Sequence, residues 1–176
     1  MSSLNTVVSL LNKVERPPGE EIPGGMSAAE LDDAENRIGF ELPASFRTWL
    51  MATNGPCVGP GGLVGIAKVR KLQDLESIYA LHPSWREKHW VPIAGDGCGN
   101  YYVMVPGNGD LEPIVFIDTF ERADTPAFVV ASQLWYFLVF LLQKDLFKSG
   151  WPFDRNEVLK ADPQIANTHL ALPWDA

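Results

Sequence analysis

The sequence predicts an α+β domain, and three observations carry that prediction. Before Trp90, apolar residues recur at helical spacing. From Trp90 the period shortens to runs of β-branched and aromatic residues, separated by GDGCGN and PGNGDLE. An apolar run, LWYFLVFLL at Leu134–Leu142, then follows. Helices first, an antiparallel meander next and a buried helix last is an α+β order, not an alternation of parallel units.

Each element has a local reason. Leu4, Val7, Val8, Leu10, Leu11 and Val14 predict a first helix over Ser3 to Val14. RPPGEEIPGG, Arg16 to Gly25, cannot continue it and reads as a connector. Ser27 and Glu30 form a capping-box signature, in which each residue satisfies a backbone N–H near the other. The helix they open carries Leu31, Ala34 and Ile38 on one face, and Gly39 is placed to end it in a left-handed cap. Pro43 suits the first position of the next helix, whose Phe46, Trp49, Leu50 and Thr53 share a face until Asn54-Gly55. A loop from Pro56 leads to a short strand around Leu63 to Ala67. Leu72, Leu75, Ile78 and Tyr79 predict one further helix ending before His82-Pro83. Strands are expected at Trp90–Ala94, Tyr101–Val105 and Pro113–Asp118, and Ser132 is placed to cap a helix over Gln133 to Lys148. Past Trp151 the tail reads as irregular.

At 176 residues the chain is expected to form one domain with a real core. Its net charge of −8 argues against nonspecific attraction to nucleic acid or an anionic membrane, and favours a basic protein partner. Cys57 and Cys98 have neither the spacing of zinc ligands nor that of a disulfide framework, so reduced thiols in a cytoplasm are expected. The N-terminus lacks a signal-peptide pattern, and the run at Leu134 is far short of the ~20 residues of a spanning helix.

The candidates for chemistry each have a plain structural reading. GDGCGN, Gly95 to Asn100, offers only the side-chain oxygens of Asp96 and Asn100, too few for a calcium loop, and no basic neighbour in sequence to activate Cys98. Glycines with Asp and Asn between two strands make a hairpin turn the simplest account. A hydrolase using Asp96 or Cys98 ranks third among the functional readings. His82, His89 and His169 form no metal-binding pair, and the loop from Gly59 has Val64 where a nucleotide-binding motif needs its last glycine. No cofactor and no metal are expected.

The stretch ENRIGFELPASFRTWLMATNG, Glu35 to Gly55, resembles the opening signature of the SUKH superfamily, in its yeast cell-wall regulator (Smi/Knr) branch. The family's features fall on Glu35, Gly39, Leu42, Pro43, Asn54 and Gly55. A second block matches at Trp90, Pro92, Asp96, Gly97, Gly99 and Asn100, with a strand at Pro113 to Val115 and a Ser-led helix at Ser132 to Leu142. The resemblance spans about Ser27 to Leu146. It implies a curved sheet against helices, with 1–26 an added helix and connector and 150–176 a C-terminal extension to a single 1–176 domain. It also implies a structural turn at GDGCGN and no catalytic residue. Bacterial members of this family are often immunity proteins that neutralise a cognate toxin, frequently a nuclease; fungal members are interaction proteins in cell-wall signalling. Either implies a protein partner.

Negative charge is concentrated on the helix of Glu30, Asp32, Asp33 and Glu35, and around Asp110, Glu112, Glu121 and Asp124. A solvated acidic surface is the plain reading. The functional one is that Glu30, Asp33, Asp110, Glu112, Glu121 and Asp124 present carboxylates to a basic partner.

Overall fold

A computed structural model of the chain describes residues 3–16, 18–107, 111–147 and 154–175. Helices Leu4–Leu11 (α1), Ala28–Ile38 (α2), Ala44–Ala52 (α3), Leu75–Leu81 (α4) and Pro83–Glu87 (α5) precede the sheet. Strands Val91–Gly95 (β1), Tyr101–Met104 (β2), Ile114–Ile117 (β3) and Phe128–Ala131 (β4) form an antiparallel meander in the order β1-β2-β3-β4. A single turn of helix, Thr119–Arg122 (α6), lies between β3 and β4; Leu134–Phe147 (α7) and Arg155–Ala161 (α8) follow. The α+β meander is therefore as the sequence predicts.

Alternation along β2 shows how the layers are arranged. Tyr101 and Tyr102 are consecutive and point to opposite faces. Tyr101 meets Trp85 of α5 edge-on at 5.6 Å between centroids, while Tyr102 meets Phe137 of α7 at 5.2 Å. The sheet thus has a helix on each side. On the Tyr101 face, Val103, Val115, Ile117 and Val129 are all buried, and α1 packs on α7 through buried Val7 and Leu11. An all-round apolar α7 is accounted for by these two contacts.

Both sheet edges are occupied. Val64 donates to the Ile93 carbonyl (2.8 Å) and Gly95 to that of Gly62 (3.1 Å), laying the loop before α4 along β1. On the other side Val129 of β4 donates to the carbonyl of Ala171 (2.8 Å). Covered edges leave little template for a foreign strand.

Several local expectations need correction. Leu63–Ala67 is not a strand: only Leu63 and Gly65 make isolated bridges, to Ala94 and Asp74. The predicted helix through Leu72 is a 3-10 turn at Lys71–Gln73 followed by α4, because Asp74 caps the helix by accepting from Ser77 N. Leu72 is exposed as a result. Pro43 sits at the cap position of α3, one residue before its first turn. β4, α5 and α6 are additional to the expected elements, and the tail is ordered: α8 and a 3-10 segment at Pro163–Thr168 bury Val158 and Ile165. α7 begins at Leu134, so Ser132 stands one residue short of its cap position; its hydroxyl and N–H instead both donate to the buried carboxylate of Asp162, at 2.6 and 2.7 Å.

Candidate protein-interaction surface

The geometry of the signature residues decides what is left for function. On α2, Glu35 accepts from the N–H of Leu42 (2.7 Å) and pairs with Arg47 of α3, which also holds Asp32 at 2.9 Å. Hydrogen bonds to Glu35 and then Asp32 hold the Arg47 guanidinium still more firmly protonated than usual. One carboxylate so fixes the Leu42-Pro43 turn and the angle between two helices. Gly39 takes φ +91 at the end of α2, as its cap requires.

Asn54 works as a piece of backbone. Its side chain accepts from Ile66 N (2.8 Å) and donates to Ile66 O (2.9 Å), tying the end of α3 to the loop along β1. Gly55 beside it has φ +63, and a Cβ there would sit 2.7 Å from Gly65 N. Trp90 offers its carbonyl to the Tyr79 hydroxyl (3.0 Å), and burial raises the pKa of that phenol. Pro92 lies in β1 directly before a register shift in its pairing with β2, where a residue without an N–H is tolerated.

The GDGCGN turn joins β1 to β2 and organises itself around Asp96. One carboxylate oxygen accepts from Cys98 N (2.7 Å) and Asn100 N (3.0 Å); the other accepts from the Asn100 amide (2.9 Å). Asn100 in turn accepts from Thr119 N at 3.0 Å, fastening the turn to α6. Gly97 and Gly99 have φ +85 and +106. Cys98 is exposed, and among the described residues no His, Cys, Asp and Glu cluster could hold a metal. The side-chain oxygens of Asp96 and Asn100 are occupied by the turn and by its link to α6.

The predicted acids do not form one face. Glu30 is engaged in its capping box, accepting from both the N–H and hydroxyl of Ser27 at 2.7 Å, which lowers its pKa. Asp33 is exposed on α2, one turn from Arg37, which is held charged mainly by Glu76 at 2.8 Å and only weakly by Asp33. Arg47 offsets one of the two charges of Asp32 and Glu35, so α2 carries less free charge than its sequence indicates. Glu121 and Asp124 lie exposed beyond the C-terminal end of β3, where Lys88 reaches the Asp124 carbonyl at 2.9 Å. Glu112 lies before the other end of β3, bonded by the Ser45 hydroxyl at 2.6 Å. The extended chain from Glu112 to Asp118 puts roughly 20 Å between the two ends at the rise of a strand. Asp110 falls outside the described residues, as do Lys148 and Trp151.

Two features carry no signal in the sequence. Leu72 and Phe120 are exposed large apolar side chains flanking the glycine turn, with Phe120 the neighbour that a Cβ on Gly99 would meet at 3.4 Å. A cleft of about 180 Å³ opens beside Glu112, walled by Phe40 and Met104. Neither is legible locally, because their members come from separate elements. No helix among the described residues is long and apolar enough to cross a membrane.

Comparison with known proteins agrees with the signature just built. The model of the SMI1 / KNR4 family (SUKH-1) matches residues 25–139, from the stretch of chain before α2 into the first turns of α7. No curated protein matches the chain. With Glu35, Asn54, Asp96 and Asn100 in their places and the family model covering well over half the sequence, the chain belongs to the SMI1 / KNR4 (SUKH-1) family.

Proposed function

We propose that the chain is a protein-binding module without a catalytic centre, of the immunity type, which occupies and neutralises a basic cognate partner such as a nuclease toxin in the cytoplasm. The observation that carries this reading is the use of the polar signature: Glu35, Asn54, Asp96 and Asn100 direct their oxygens at the chain's own backbone, at each other or, for one oxygen of Glu35, at Arg47. Recognition is left to the surface around them. Covered sheet edges favour docking through side chains over addition of a strand. Carboxylates that make no ion pair among the described residues, Glu121 and Asp124 at one end of β3 and Glu112 at the other, match the charge of a nucleic-acid groove and steer a basic protein toward the chain.

The test joins genetics to kinetics. Where a toxin gene adjoins, co-expression of this chain is expected to relieve the growth arrest that the toxin causes. With the purified pair, association is expected to slow as salt rises from about 50 to about 300 mM, over which the screening length falls below ~10 Å. Reversing Glu121 and Asp124 to lysine should slow it several-fold while leaving melting unchanged. A solitary gene, with capture of a regulatory protein instead, supports the regulatory interactor. Association indifferent to both salt and reversal removes the acidic recognition surface.

A further inference from the structure

The cleft beside Glu112 combines features that a merely solvated acid lacks. Its floor is apolar: Met104 and Val105 at the end of β2 are buried, and Pro43 at the cap of α3 is half-buried. Phe40 forms a wall, held in place by His89, whose ring stacks on it at 4.5 Å and 9°. Two carboxylates, Glu41 and Glu112, line the same space. The Ser45 hydroxyl donates to one oxygen of Glu112 at 2.6 Å and so fixes its position while leaving the other oxygen to accept. His89 holds the left-handed conformation, φ +54, as the residue that ends α5, which brings its ring against Phe40.

At about 180 Å³ the cleft is smaller than the ~300–1,000 Å³ of sites for drug-sized molecules, and is the size for one long side chain. An apolar floor with carboxylates at its rim suits a side chain that is aliphatic along its stem and cationic at its tip. Arginine meets this better than lysine, since its guanidinium is less strongly hydrated than an ammonium and presents several donors in one fixed plane.

The geometry points to this cleft as the socket for an arginine side chain of a basic protein partner, with Glu112 as the anchoring carboxylate and Glu41 adding charge. It deepens the binding-module reading and rests on it for the identity of the partner, but the socket itself can be measured without one. The probe is N-acetyl-arginine N-methylamide, titrated into the full ¹⁵N-labelled chain and compared with the norleucine analogue, which keeps the stem and lacks the cation. Saturating shifts are expected at the amides of Glu41, Met104 and Val105 with the arginine probe. The norleucine probe and the Glu112→Gln variant should each bind about fivefold more weakly, as for loss of one partly exposed charge pair. The amide oxygen introduced by Glu112→Gln can still accept from Ser45, so the spectrum of that variant elsewhere should match that of the parent chain.

Equal binding of both probes, an unchanged affinity in Glu112→Gln, or shifts confined to Glu121 and Asp124 would overturn the socket. The two proposals fail separately. A chain that takes the arginine probe but neutralises no toxin keeps the socket and loses the immunity role. One that neutralises equally well as Glu112→Gln keeps the role and loses the socket.

Discussion

Gly97→Val is expected to lower stability by about 3 kcal/mol, combining ~1–3 kcal/mol for a β-branched residue at positive φ with a similar cost for overpacking. The backbone at Gly97 has φ +85, and a Cβ there would stand 2.9 Å from the carbonyl oxygen of Pro60. The contact is backbone, so no side chain can rotate away. Gly61 mirrors it, since its Cβ would fall 2.5 Å from the carbonyl carbon of Gly95. The glycines of the loop before α4 and those of the β1–β2 turn are therefore mutual requirements: each segment is bare because the other lies against it. Chemical denaturation of Gly97→Val and Gly97→Ala checks this, with alanine expected to cost less because it lacks the branch. Parent-like midpoints in both would show that the two loops do not press together.

Asp162→Ala is expected to cost about 3 kcal/mol, because two buried donors lose their acceptor at ~1–3 kcal/mol each. Those donors are the N–H and hydroxyl of Ser132, at the entry to α7, and Asp162 itself is fully buried. Asp162→Asn should cost much less, since an amide can accept from the N–H and donate to the hydroxyl oxygen. Burial raises the pKa of Asp162, and the hydrogen bonds from Ser132 only partly oppose this. The folded chain therefore holds this proton more tightly than the unfolded one. Its contribution to stability is full below the ordinary carboxylate pKa and is lost as pH rises through the higher folded value. Melting of the parent chain followed upward from pH 4 should show this loss against Asp162→Asn, which lacks the group. Identical pH profiles for the two would contradict a raised pKa.

What the sequence disclosed was what local chemistry decides. The Ser27–Glu30 capping box, the left-handed Gly39 and the Asp96 turn each involve residues within a few positions, and each forms as expected. β4 escapes a sequence reading because its pairing partner, β3, lies across a turn of helix instead of a short hairpin turn. Leu63–Ala67 has the composition of a strand, yet Asn54 supplies the hydrogen bonds for Ile66 that a neighbouring strand would have given. The acids of α2 look free in sequence because Arg47, which pairs with Asp32 and Glu35, stands 12 to 15 positions away on another helix. Asp162 and Ser132 are 30 positions apart, and no periodicity links them. Family resemblance located the signature; only the assembled chain shows that its oxygens are engaged in holding turns together.

On the binding-module reading, the signature builds the fold and recognition lies outside it. Asp96→Ala separates the two, with thermal melting and, where a toxin gene adjoins, affinity for its product measured on the same preparation. Loss of the acceptor for Cys98 N, Asn100 N and the Asn100 amide should lower the melting temperature by several degrees. Well below that temperature, the folded variant should bind its partner with the parent affinity. Parent-like melting accompanied by lost binding, or by loss of a hydrolytic activity, would contradict the claim and return Asp96 to a functional site.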